Sequence, residues 1–216
     1  MKIGVLGATG PAGRGLAARL ADGGHDVLAG SRDRAKAATV VGELRERWGE
    51  RVAGITPVDN KVACDAELVV VAVNAEAALP TVEQLTEPLA GRTVVSITNH
   101  LVRKGSEFNV VLPPQGSVAK EMQAMLPTSR VVTAFHLVPA AEFGRLDEPM
   151  VSDVVACGDD DDARATLMDV IRGIPDLRAF DGGSLENAVG MEAFAAIVLT
   201  VNVKHKARVG LRFTGV

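Results

Sequence analysis

The chain has 216 residues, 47% of them hydrophobic, enough to bury a full core, and its 23 Lys and Arg against 27 Asp and Glu leave a formal charge of -4. That balance offers no basic stripe to nucleic acid, and the longest apolar run, around 197–201, is short of the roughly 20 residues that span a bilayer. Met1 leads directly into an apolar strand, leaving no room for a signal peptide, and Cys64 and Cys157 match no ligand spacing, so a cytoplasmic protein with buried free thiols and neither disulfide nor metal is expected.

A strand over 2–6 runs into glycines at Gly7, Gly10 and Gly13, with a helix over 12–21 behind them. Bare backbone at such a turn lets N–H groups approach a pyrophosphate at the positive end of a helix, so Gly7, Thr9, Gly10, Pro11 and Ala12 form a dinucleotide cradle. A second strand, 26–29, ends at Ser31-Arg32, where an NAD enzyme usually carries an acid for the ribose 2'-hydroxyl. A hydroxyl and a guanidinium, with Lys36 one turn on, attract a 2'-phosphate instead, and the cofactor read from this pattern is NADP.

Helix 34–48, a short strand near 54–56, a brief helix before Asp65 and strand 68–73 follow. Next come helix 75–89, interrupted by Pro80, and strand 93–97. Such alternation predicts an α/β fold, a Rossmann-type doubly wound parallel sheet with right-handed crossovers. Ligands sit beyond the carboxyl ends of its strands, so Asn74 and Asn99 are candidates to bracket the ribose and carboxamide. Residues 101–116 read as an irregular loop, 117–126 as a helix, and 130–135 as a strand running into His136. Beyond Pro149 the pattern predicts strand 152–157, helix 162–171 capped by Asp159 or Asp160, strand 177–180, helix 185–204 and a strand over 208–213. These divide the chain into an NADP-binding domain, 1–149, and a small α+β cap, 150–216. The last helix is apolar on nearly every face, which predicts burial in a core or a homodimer interface.

The sequence contains no tyrosine, which removes the Tyr–Lys proton donation of short-chain dehydrogenases. Too few residues follow the sheet to build the large helical domain of the long-helix hydroxyacid dehydrogenases.

The chain resembles the coenzyme F-420:NADP oxidoreductases over nearly its whole length. The likeness rests on 7–17 for the glycine turn and first helix, 24–27 and 30–33 for the second strand and 2'-phosphate contact, and Val132 to Phe143 and Cys157 to Asp160 for two further stretches. Of these, the histidine and proline of His136-Leu137-Val138-Pro139 are the most specific, because neither periodicity nor capping asks for them. The resemblance implies hydride transfer between C4 of the nicotinamide and C5 of the deazaflavin, stacked in a cleft between the two parts of the chain, with His136 on the side of the reacting rings. The chain departs from its relatives at Asn74-Ala75, at Thr98-Asn99-His100-Leu101 and at Phe194-Ala195-Ala196, all expected to border the second ligand. The alternatives are an NADPH-dependent reductase of a small imine or carbonyl, with His100 or His136 as proton donor, and a non-catalytic NADP sensor.

Overall fold

Strand residues alternate between two helical layers, and that alternation places the ligand crevice. In the computed structural model, which describes residues 1–216, the chain begins with β1 (Lys2–Leu6), α1 (Pro11–Asp22), β2 (Asp26–Ser31), α2 (Arg34–Trp48) and β3 (Ile55–Asp59). It continues through α3 (Asn60–Ala63), β4 (Leu68–Val71), α4 (Ala75–Gln84), α5 (Thr86–Leu89), β5 (Thr93–Ser96), β6 (Leu101–Lys104) and β7 (Glu107–Val110). The remaining elements are α6 (Val118–Met125), β8 (Arg130–Thr133), α7 (Ala140–Phe143), β9 (Ser152–Gly158), α8 (Asp161–Arg172), β10 (Leu177–Asp181) and α9 (Ala188–His205).

Eight strands form one sheet in the order β10-β9-β8-β5-β4-β1-β2-β3. Ile3, Val5 and Val70 face α1 and α8, where they join Leu16, Leu20, Leu167 and Ile171 in the larger core. Leu6, Val69 and Val71 point the other way, onto Val82, Met122 and Leu126 of the α4 and α6 layer. Each of these fully buried side chains stabilises the fold by about 1.5–3 kcal/mol. Because β1 lies between β2 and β4, the winding direction reverses there, and the crevice beyond the ends of β1 and β4 is the topological switch point of the sheet.

Within this eight-stranded sheet only β8 and β9 pair antiparallel, Thr133 opposite Cys157. An antiparallel neighbour needs no crossover helix, and the connection between them holds only the four-residue α7. The sheet therefore runs across residue 149, with β9 and β10 extending it from the cap side. Asp160 caps α8 by accepting from the Ala163 N–H at 2.8 Å. Cys64 and Cys157 are buried and unpaired, and burial pushes both thiols up to about 11.

Several expectations need correction. Residues 101–110 are not irregular, because β6 and β7 form a hairpin across Gly105-Ser106, with Gly105 at φ +62° supplying the turn, whereas 111–116 are irregular as expected. Helix α4 runs through Pro80 and breaks at Leu85. No strand forms over 208–213; instead the tail is tied to the start of β9, the Asp153 N–H donating to Leu211 O at 2.9 Å and the Phe213 N–H to the Asp153 carboxylate. That carboxylate also holds Arg178 in a two-pronged pair at 2.6 and 2.7 Å, which keeps it below the usual carboxylate range.

Helix α9 is not buried all round. Ala195, Ala196 and Val198 turn inward, whereas Phe194 is 40% and Ile197 56% exposed. Counted from Leu185 it spans 21 residues at mean hydropathy 1.2, so in length and composition it does reach what a bilayer crossing requires. Contacts on its inner side tie it to the fold. The Phe108 N–H donates to Thr200 Oγ1 at 2.9 Å, and the Glu192 carboxylate accepts from the N–H groups of Val118 and Ala119 at 2.8 and 3.1 Å, capping α6 from a neighbouring helix.

Burial pushes the Glu192 carboxyl up to about 7, although those two N–H bonds pull it down. An unfolded glutamate titrates near pH 4.3, so between about pH 4.5 and 7 the native state holds a proton that the unfolded chain has released. Stability from this group is full below that window and is lost as pH rises through it, by on the order of 3–4 kcal/mol. Glu192→Gln, which cannot ionise, is expected to flatten this component in urea midpoints taken between about pH 5 and 8. A variant that keeps the wild-type slope contradicts the assignment.

Candidate active site

The turn from β1 to α1 is built on close approach. Gly7 has φ +83°, and a Cβ there would lie 2.6 Å from Val73 Cγ1 and 2.9 Å from Ala72 O. A Cβ on Gly13 would meet Gly7 O at 2.4 Å, so α1 is pressed against the turn that feeds it. The turn hangs on β2 through the Gly7 and Ala8 N–H groups, both donating to Gly30 O. Gly10 is the N-cap of α1, Pro11 opens the helix, and no side chain caps it. The positive helix end is thus left available to an anion.

At the end of β2, Ser31 is buried and its hydroxyl accepts from the Asp33 N–H at 3.2 Å. Asp33 does not neutralise the neighbouring cations by pairing; its carboxylate caps α2, accepting from the N–H groups of Ala35 and Lys36 at 2.9 and 3.3 Å. Arg32 and Lys36 are exposed, and neither side chain is engaged in a hydrogen bond or ion pair. A cavity of about 570 Å³ brings together Gly7, Thr9, Gly10, Pro11, Ala12, Ser31, Arg32, Lys36 and Asn74. An uncapped helix start in the middle and a hydroxyl with two unpaired cations at one end fit a dinucleotide carrying a 2'-phosphate.

Asn60 and Thr81 also line this cavity. The Asn60 Oδ1 atom is buried without a partner, an acceptor available to a ligand N–H or O–H. Sequence reading passed over it because Asn60 follows β3, a strand with no motif of its own.

A second cavity of about 300 Å³ adjoins the first, sharing Ala12, Ala72, Val73, Asn74 and Ala140 with it. Its walls are mostly apolar, Ile97, Leu101, Phe135, Val138 and Leu199 among them, and its polar side chains are Asn74, Thr98, Asn99 and His136. The two remaining sequence candidates, Asn99 and His136, therefore stand here and not in the larger cavity.

They are committed to each other. Asn99 Nδ2 donates to the His136 carbonyl at 2.8 Å, which turns Asn99 Oδ1 toward His136 Nδ1, also at 2.8 Å. Asn99 Oδ1 can only accept, so His136 carries its proton on Nδ1, and Nε2 lies against the Thr133 hydroxyl, which also donates to the Ser96 carbonyl at 3.1 Å. Burial pushes His136 down to about 3, so it is neutral around pH 7. His136 follows Phe135, which sits at φ +61°, a left-handed conformation costing roughly 1–3 kcal/mol in a non-glycine residue. Edge-on packing of Phe135 against Phe143, 5.7 Å between ring centroids at 76°, helps hold it there. His100 lines neither cavity.

One further residue escaped sequence reading. Arg19, buried inside the fold from α1, donates to the carbonyls of Glu142, Phe143, Arg145 and Glu148, and so ties down the segment that closes the second cavity through Val138, Ala140 and Phe143. An arginine in a helix ordinarily reads as a solvated face, and nothing local marks this one.

Residues 2–100 match the sequence profile of the family described as NADP oxidoreductase, coenzyme F420-dependent. The F420-dependent NADP reductase of Methanocaldococcus jannaschii is 36% identical over 99% of this chain and 98% of its own length. That of Methanothermobacter marburgensis is 32% identical, with the same coverage of both chains. A crystal structure from Arthrobacter sp. FB24 superimposes with a TM-score of 0.83 over 99% of each chain at 24% identity, a likeness that speaks to the fold. Full-length identity above one third, carried on a sheet and glycine turn of this geometry, makes the chain a member of the coenzyme F420-dependent NADP oxidoreductase family.

Proposed function

We propose that this protein transfers hydride between NADP(H) and coenzyme F-420, with the nucleotide in the larger cavity and the reacting rings in the smaller apolar one. The observation that carries this reading is the continuity of the two cavities through Asn74 and Ala140 at the switch point of the sheet. Thr9, Gly10, Pro11 and Ala12 lie under the pyrophosphate, and Ser31, Arg32 and Lys36 hold the 2'-phosphate. When both coenzymes are bound, hydride passes between two ring carbons, C4 of the nicotinamide and C5 of the deazaflavin. The protein then has mainly to align them and exclude water.

His136 serves that demand as a positioning residue, holding Asn99 and the turn after β8 against the cavity. Reduction of a small imine or carbonyl would instead ask a histidine to give up a proton. His136 is neutral with both ring nitrogens engaged, and His100 stands outside the cavities, so neither favours that alternative. Mixing the protein with NADPH and oxidised F-420 is expected to bleach the visible absorbance of the deazaflavin. Consumption of NADPH with a small cyclic imine but none with F-420 overturns the assignment.

The protein is further proposed to act as a cytoplasmic homodimer, residues 1–149 holding NADP and residues 150–216 supplying Leu199 to the ring cavity and the dimer contact. The support is the exposed pair Phe194 and Ile197 on α9. Val198, which faces inward with Leu137 and Ala195, belongs to the chain's own core and cannot report on a partner. Ile197→Asp is expected to convert a dimer to a folded monomer in sedimentation. A monomeric wild type removes the dimer.

A further inference from the structure

Of the four polar side chains in the apolar cavity, two are spent on one another: Asn99 uses both ends of its amide on His136, and His136 uses both ring nitrogens on Asn99 and Thr133. Asn74 caps α4 by accepting from the Ala77 N–H at 3.2 Å and is otherwise open to solvent. The fourth is different. Thr98 follows the carboxyl end of β5, is only 4% exposed, and its Oγ1 atom is buried with no hydrogen-bond partner at all.

A buried hydroxyl that bonds nothing destabilises the free protein, and a valine of the same shape would avoid that penalty. Thr98 lines the cavity and is the one residue there that carries a hydroxyl, so a ligand seated against it finds an unspent hydrogen-bonding group just beneath the wall. Its neighbours Ile97, Leu101 and Phe135 are apolar, so a bond made here has little competition from water and carries directional information.

We propose that the Thr98 hydroxyl is the hydrogen-bonding group that orients the amide-type function of a reacting ring in this cavity, and so decides which ring face is presented for hydride transfer. The shared chemistry is a planar heteroaromatic ring with an adjacent carbonyl and N–H, which both the nicotinamide carboxamide and the pyrimidine-dione end of the deazaflavin supply. The inference rests on the reading that the apolar cavity receives the reacting rings.

The test compares Thr98→Val, which removes the hydroxyl and keeps the shape, with Thr98→Ser, which keeps the hydroxyl. Thr98→Val is expected to melt at the same temperature as the wild type or higher, to weaken coenzyme binding by about 5- to 50-fold, and to scramble the label delivered from NADPH deuterated on one face of C4. Thr98→Ser is expected to stay near the wild type in label fidelity. Weaker NADP+ binding by calorimetry, with no deazaflavin present, identifies the carboxamide as the partner; a raised KM for F-420 alone identifies the pyrimidine end. Either outcome supports the proposal. Thr98→Val with wild-type binding, KM and facial fidelity overturns it, and so does a lowered melting temperature with coenzyme binding and fidelity intact, which would mark the hydroxyl as structural. Val138→Trp, which fills the cavity, separates the two levels: if it leaves turnover unchanged, the cavity does not receive the rings, whereas loss of turnover there beside an innocuous Thr98→Val refutes the Thr98 role alone.

Discussion

Arg32→Ala is expected to weaken NADPH by roughly ten- to a hundred-and-fifty-fold while barely affecting NADH, the range that follows from losing a charge-assisted guanidinium–phosphate contact of about 1.5–3 kcal/mol. Arg32 is free to make that contact, because Asp33 beside it is occupied as the cap of α2 and no other acid pairs with it. Its exposure places the effect toward the lower end at high salt, where screening weakens a surface charge, and Lys36 retains part of the attraction. Initial-rate KM values for both nucleotides at two ionic strengths check this. Equal losses for NADPH and NADH remove the 2'-phosphate from this end of the cavity.

His136→Ala should slow hydride transfer by something like ten- to a thousandfold without abolishing it. The loss is one of alignment. Removing the ring strips Asn99 Oδ1 of its partner and opens space beside Thr133, while the turn at Phe135 keeps its packing on Phe143, the Val138 N–H bond to Phe135 O and the Asn99 Nδ2 bond to the carbonyl of residue 136. Because His136 is held near 3, it does not titrate between about pH 5 and 8, and the rate–pH profile of the variant should parallel that of the wild type over that range. A variant whose profile loses an inflection near neutrality shows that His136 had been moving a proton, and the positioning role falls.

What could be read from residues alone followed from local physics. The turn at Gly7 to Gly13 is legible because a positive φ and sub-3 Å approaches admit only glycine, and Ser31-Arg32 because charge at a strand end needs no tertiary context. The helix over 34–48 and the strand over 2–6 appear with the predicted bounds for the same reason. Long-range pairing was less visible. The Gly105-Ser106 turn signal sits within a stretch whose strands are short and mostly exposed, and residues 208–213 look like a strand although the tail is held by scattered bonds to Asp153, Asn202 and Arg178 and not by a ladder. Uniform hydrophobicity along α9 hid the difference between inward Val198 and outward Ile197. Thr98, Arg19 and Glu192 are ordinary residue types whose roles come from partners 70 or more positions away, or from having no partner.

Direct hydride transfer between two coenzymes is tested most directly by the fate of the hydrogen itself. With NADPH carrying deuterium at the transferred C4 position and F-420 as acceptor, the label is expected at C5 of the reduced deazaflavin, without washout into solvent, and on one face only. Deuterium appearing in water, or NADPH oxidised with the deazaflavin unlabelled, contradicts it.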